Sequence, residues 1–97
     1  MEYRNFGKTT LRVSEVGFGC WAIGGAAFVG NIPIGWGETD DRESKLAIHA
    51  AIDAGINFFD TADFYGLGHA ETLLGETIGN RSDMVVASKV GQKTLDN

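Results

Sequence analysis

Ninety-seven residues with 43% hydrophobic and 22% charged content make an ordinary globular composition. They bound the chain to one domain, or part of one, and exclude intrinsic disorder. Thirteen acidic residues against eight basic ones leave a charge of −5, which argues against a nucleic-acid backbone as partner. The single cysteine, Cys20, excludes an intrachain disulfide and makes a reducing, cytoplasmic setting the default.

The opening stretch MEYRNFGKTT has no apolar run and carries an early glutamate, so no signal peptide is expected. Residues 3–13 alternate about Gly7-Lys8 and predict a small β-hairpin. This gives a hairpin cap over residues 1–14 and a main unit over 15–97. GKTT at 7–10 imitates the end of a P-loop, but that motif's first glycine would fall on Glu2 and no strand precedes it.

A short strand is predicted around Val16–Cys20. From Val16 to Gly37 no residue is charged, a run of 22 that is long enough to span a bilayer. Its seven glycines, Pro33 and Asn31 argue instead for a glycine-rich loop with apolar walls. The segment from Trp21 to Thr39 shows no helical period and reads as one long loop, of the kind that carries function. Within this stretch, GFGCWA fits a loose dinucleotide fingerprint. That motif needs a helix opening at once to face a pyrophosphate, and a loop intervenes here. Trp21 and Trp36 bracket the loop, either walling a ligand pocket or pinning the loop to the core.

Asp40 is placed to cap a helix, with Glu43 as the reciprocal partner and Asp41 in the positive first turn. The alanine-rich continuation runs to Gly55, a natural left-handed stop. Positions 47, 50, 51 and 54 form a stripe of small residues suited to packing on a sheet. INFF at 56–59 reads as a strand buried on both faces, with Asp60 as its last residue. HAETLLGETIG predicts a second helix with Ala70, Leu73, Leu74, Thr77 and Ile78 at helical spacing and Gly79 as its stop. Met84–Ser88 is a further β-branched run, with Lys89 at its end. Alternating β and α units imply a parallel sheet with right-handed crossovers.

Asp60, Tyr65 and Lys89 therefore fall where parallel strands run out, the end of such sheets that carries chemistry. An ammonium beside a phenol favours the phenolate, and a carboxylate beside the ammonium keeps it charged in a partly apolar pocket. Such a trio can give or take a proton near neutral pH. The plainer alternative is that Asp60 caps a turn, Lys89 pairs with it structurally and Tyr65 lies on the surface. Asp63 and Thr61 read as turn residues bonded to local backbone. His49 reads as a mid-helix packing or surface residue, and His69 as part of a helix start. Neither has a second ligand at metal spacing, so no metal is assigned.

LRVSEVGFGCWAIGG, AIDAGINFFDTADFYG and VVASKVG, in this order and spacing, resemble the N-terminal third of the aldo-keto reductase superfamily. The likeness covers Tyr3 to about Gly91. It implies an α/β fold, the N-terminal fragment of a (β/α)8 TIM barrel: a hairpin, then βαβαβ with three parallel strands. It also implies an oxidoreductase that reduces aldehydes or ketones by hydride transfer from NAD(P)H, usually NADPH. By the resemblance, Asp60, Tyr65 and Lys89 are catalytic, with Tyr65 the proton donor, Lys89 tuning it and Asp60 holding the lysine. Gly19, Cys20, Trp21 and Asp60 fall near the cofactor, and Trp21, Trp36 and Tyr65 near the substrate. The family's fourth catalytic residue, a histidine after the next strand, has no counterpart here, since His49 and His69 lie in the wrong elements. A barrel takes about 250 residues, so this chain is expected to be inactive alone. The alternative is a non-catalytic fragment that self-associates or regulates, pairing with another copy or with the rest of a barrel. The expected partners are a small carbonyl substrate, with no nucleic acid and no membrane.

Overall fold

The computed structural model describes residues 1–91, so the last six positions of the expected 15–97 unit lie outside the described residues. The hairpin forms as predicted. Strands β1 (Tyr3–Asn5) and β2 (Arg12–Ser14) pair antiparallel with Arg4 opposite Val13. Asn57 locks the hairpin onto the body through three bonds. Its Oδ1 accepts from Ser14 N at 2.7 Å, its Nδ2 donates to Arg12 O at 2.9 Å, and its backbone N donates to Ser14 Oγ at 3.2 Å. Tyr3 Oη donates to Gly55 O at 2.5 Å, and the Phe6 ring lies 5.4 Å from that of Phe58.

The central sheet is parallel, in the order β3 (Phe18–Gly19), β6 (Phe58–Asp60), β7 (Val85–Ala87). Its strands are shorter than the sequence runs that announce them. Between β3 and the first helix the expected structureless loop holds a 3₁₀ turn, Ala22–Gly24, and a second hairpin of β4 (Phe28–Val29) and β5 (Ile32–Pro33). Gly30 carries the positive φ of 60° at the first central turn position, the pattern of a type II′ turn. Two-residue strands leave too little alternation to read in sequence.

Helix α1 (Asp41–Asp53) starts where predicted, with Asp40 Oδ1 accepting from Arg42 N at 2.9 Å. Glu43 makes no reciprocal bond among the described residues, so half of the expected capping box is missing. The helix ends in a Schellman turn: Ile56 N donates to Ala51 O at 3.0 Å and Gly55 N to Ile52 O at 2.9 Å, with Gly55 at φ 98°. The buried face is Ser44, Ile48 and Ala51, not the stripe at 47, 50, 51 and 54. The reason is area: an inward Ile48 removes far more apolar surface from water than alanine methyls do.

Helix α2 (His69–Ile78) buries Ala70, Leu73, Leu74 and Ile78 as expected, while Thr77 Oγ1 turns back to Leu73 O at 2.7 Å. These side chains form the core with Cys20, Ile23, Ile48 and Phe59. The expectation that INFF is buried on both faces fails. Phe59 is fully buried, but Ile56, Asn57 and Phe58 are only half-buried. Val86 shares Phe59's side of the sheet but lies on the outer strand, facing a cavity beside Leu74 and Ile78 of α2, and is 44% exposed.

Candidate active site at the strand ends

Asp60 and Lys89 meet at the C-terminal ends of β6 and β7. Asp60 closes its strand, and two residues after β7 Lys89 enters from the neighbouring one. The register brings Gly19, Asp60 and Ala87 level across the sheet. Thr61 N donates to Ala87 O at 2.8 Å and Asp63 N to Lys89 O at 3.0 Å, so the two chains stay zipped past the end of the formal ladder. Lys89 Nζ donates to Asp60 Oδ1 at 2.6 Å and to the Thr61 backbone carbonyl at 2.6 Å. The Asp60 hydrogen bond, first, raises Lys89 above the usual lysine range; desolvation opposes it, and the charge of Asp60 and the nearby Tyr65 add smaller pulls upward.

Tyr65 follows in a 3₁₀ turn, Tyr65–Gly68, and its ring centroid lies 5.3 Å from Lys89 Nζ, within cation–π range. The turn is held by an unusual backbone contact. Gly66 sits at φ 61°, and a Cβ there would overlap the Gly24 carbonyl; a Cβ on Gly24 would in turn strike Gly66 N. Only glycine fits at either place, and the next residue, Leu67, also adopts a left-handed φ of 55°. The loop that carries Tyr65 is thus fastened to the 3₁₀ turn that follows β3.

Of the residues expected near a cofactor, Gly19 is exposed and has no heavy atom within 4 Å of where a Cβ would stand. The strand-end face over Gly19 is therefore open, with room for a flat group. Cys20 is placed differently from Gly19. Its side chain is wholly buried, bonded through Sγ to Phe18 O at 3.8 Å, and burial pushes its thiol up to about 11. It belongs to the core, and only its backbone, which donates to Asp60 O at 2.9 Å, serves the strand ends. Trp21 and Trp36 pack edge to face with centroids 5.2 Å apart, both exposed, and Trp21 Nε1 donates to Ile34 O at 3.2 Å. The pinning role is thereby visible, and the exposed ring faces are left over for a ligand.

Two features escape sequence reasoning. The Thr61 carbonyl is a backbone group and carries no residue-type signal. His69 does more than open a helix: its Nε2 lies 2.8 Å from Asp41 Oδ1, joining the starts of α2 and α1. His49 is exposed on α1. Among the described residues no three His, Cys, Asp or Glu side chains converge as a metal site, and no helix is long and apolar enough to cross a membrane.

Residues 15–97 match the model of the Aldo/keto reductase family. The chain is 39% identical over 100 residues to the aldo-keto reductase YhdN of Bacillus subtilis (strain 168), covering all of this chain and 28% of that protein. It is 36% identical over 94 residues to a protein of Oryza sativa subsp. japonica named "Probable voltage-gated potassium channel subunit beta", covering 93% of this chain and 25% of that one. Among solved structures it matches the holo form of aldo-keto reductase AKR11C1 from Bacillus halodurans with a TM-score of 0.77 at 33% identity, covering 99% of this chain and 28% of that one. The chain therefore spans about a quarter of the length of these proteins. The solved neighbours are (β/α)8 barrels, and the hairpin followed by βαβαβ is a fragment of that architecture.

Proposed function

The chain belongs to the aldo/keto reductase family, and on that premise we propose that its strand-end cluster supplies the proton-handling groups of an NADPH-dependent carbonyl reductase. The observation that carries the reading is Lys89 Nζ, held 2.6 Å from Asp60 Oδ1 and 5.3 Å from the Tyr65 ring centroid. NADPH, when bound, supplies the hydride. Tyr65 Oη gives a proton to the oxygen of the aldehyde or ketone as that oxygen gains negative charge. Lys89, with its positive charge fixed beside the phenol, favours the phenolate left behind. Asp60 and the Thr61 carbonyl orient the lysine, and each takes one of its three N–H donors. Gly19, Trp21 and the backbone of Cys20 face the cofactor, while Trp21, Trp36 and Tyr65 present aromatic surface to an apolar substrate. A cytoplasmic setting goes with this reading.

The test is a chimera in which residues 1–97 replace the matching stretch of the Bacillus subtilis relative. We expect it to reduce 4-nitrobenzaldehyde with NADPH, and Tyr65→Phe to lower kcat by about a hundredfold or more while sparing NADPH affinity. Turnover of the variant within about tenfold of the parent chimera rejects Tyr65 as the acid. Alone, the chain is expected to be inactive and to bind NADPH no tighter than about millimolar. A micromolar dissociation constant for the isolated chain overturns that expectation.

A second reading, a non-catalytic fragment that self-associates or regulates, draws support from the sheet itself. Among the described residues the outer edges of β3 and β7 pair with no strand, and such edges invite another chain. Sedimentation decides it: a monomer across the accessible concentration range counts against self-association.

A further inference from the structure

We propose that Asp41 and His69 are positioning residues for the reaction: their bond sets where the Tyr65 turn stands relative to Lys89. The inference rests on the reading of Tyr65 as proton donor. It starts from the segment between Tyr65 and α2, which has little local structure to hold it. Gly66, Leu67 and Gly68 all have positive φ, at 61°, 55° and 104°. For Leu67 that conformation costs free energy, and it persists only where surrounding contacts impose it. Helix α2 opens on Gly68 with no side-chain cap, so its start is not fixed locally either.

Two contacts from outside bear on this segment. The first is the meeting of Gly24 with Gly66, where the main chains pass too closely for a Cβ on either residue. Such a contact is repulsive: it limits approach but does not stop the turn from swinging away. No hydrogen bond joins the two glycines among the described residues. The second contact is attractive. His69 Nε2 lies 2.8 Å from Asp41 Oδ1, the one hydrogen bond among the described residues that ties residues 65–69 to α1. Together the two fix a distance, which neither does alone.

The pull reaches Tyr65 through the main chain. His69 N donates to the carbonyls of Tyr65 and Gly66, so the imidazole and the turn move as one piece. Lys89 is anchored at two points, to Asp60 and to the Thr61 carbonyl, so play in its 5.3 Å separation from the Tyr65 ring belongs to the tyrosine. On the α1 side no packing replaces the bond, because a cavity of about 430 Å³ opens between Gly24, Gly66, His69 and Asp41. His69 and Asp41 keep 42% and 50% of their side chains in solvent, so their bond adds little to global stability. It acts on a local equilibrium between a held and a released turn.

The test compares His69→Ala, Asp41→Ala and the double variant in the chimera, with Lys45→Gln as control. Lys45 joins the same two helices through Glu76 at 3.3 Å, one turn farther along α1 and comparably exposed. Misplacing a reacting group by about 1 Å costs on the order of a hundredfold in rate. We expect each single variant to lower kcat about tenfold with KM for NADPH and aldehyde within about twofold. The double variant should lose no more than either single one. His69→Gln, whose amide can reach the same carboxylate, should recover most of the loss, and Lys45→Gln should change kcat by less than about twofold. Amide hydrogen exchange, which needs no turnover, is followed on the chimera and on the 97-residue chain. In His69→Ala the amides of Tyr65 and Leu67 should exchange at least about tenfold faster, with those of Ile56 and Val85 unchanged. The two readings fail separately. Retained turnover in Tyr65→Phe defeats the reading of Tyr65 as the acid. Unchanged exchange in the turn, a kcat loss matched by Lys45→Gln, or no recovery with His69→Gln overturns the assignment of Asp41 and His69.

Discussion

The two ends of the sheet use polar residues in opposite ways. At the hairpin end, Asn57, Ser14 and Tyr3 are neutral, and their bonds go largely to backbone groups. At the other end, Asp60 and Lys89 are charged, bond to each other, and keep 54% of each side chain in solvent. One end has its hydrogen-bonding capacity consumed by the fold. The other retains valence that can be offered to a ligand. Polarity by itself does not mark a site; polarity left unspent at a strand terminus does.

The contrast can be broken most severely through Tyr65. In the chimera Tyr65→Phe is expected to cost about a hundredfold or more in kcat with no loss of stability, whereas Asn57→Ala should spare kcat per folded molecule. Parallel kinetics and urea melts check the split, and equal damage to both quantities by either variant would erase it. Gly66→Ala comes next, since the added methyl must occupy space held by the Gly24 carbonyl and adopt a left-handed φ. It should destabilise by roughly 2 kcal/mol or more and disturb the Tyr65 turn. Asn57→Ala removes several bonds to partly buried partners and should cost about 1–3 kcal/mol.

Smaller effects follow from pH. Lys89 is raised above 10.5, so the stability gained from its pairing is present below that value and lost as pH rises through the folded one. Cys20 titrates from 9.0 when unfolded and at about 11 when folded, so the native state holds its proton longer and stability falls across that window. Both act in the same direction, and urea midpoints should decline steadily above pH 9. Alkylation of Cys20 at pH 8 should be negligible until denaturant is added, and rapid labelling of native protein would contradict its burial. Asp83, lowered by its bidentate bond from Arg81, favours folding above 3.8 and loses that contribution on acidification. Both side chains keep about half of their surface in solvent, so this is the smallest effect.

Much of the architecture was legible in the sequence because its signals are local. Asp40 and Gly55 bound α1, the alternation about Gly7-Lys8 marks the hairpin, and the β-α alternation implies parallel strands. The buried face of α1 was not legible. Ala47, Ala50 and Ala54 are apolar by type but bury little area, and only the position of the sheet decides that Ile48 turns inward. The β4–β5 hairpin was hidden by strand length. Within the site, residue types and strand positions placed Asp60, Tyr65 and Lys89 at one end of the sheet. The second anchor of the lysine and the contact between Gly24 and Gly66 are backbone matters. They depend on how two loops meet, which no residue pattern encodes.

That glycine pair also constrains redesign of the molecule. Barrel loops are commonly regarded as interchangeable parts, exchanged one at a time to alter selectivity. Here the segments after β3 and β6 interlock through main-chain atoms. Transplanting either without its mate would leave a clash or a void directly beneath the tyrosine, so the two must be inherited together.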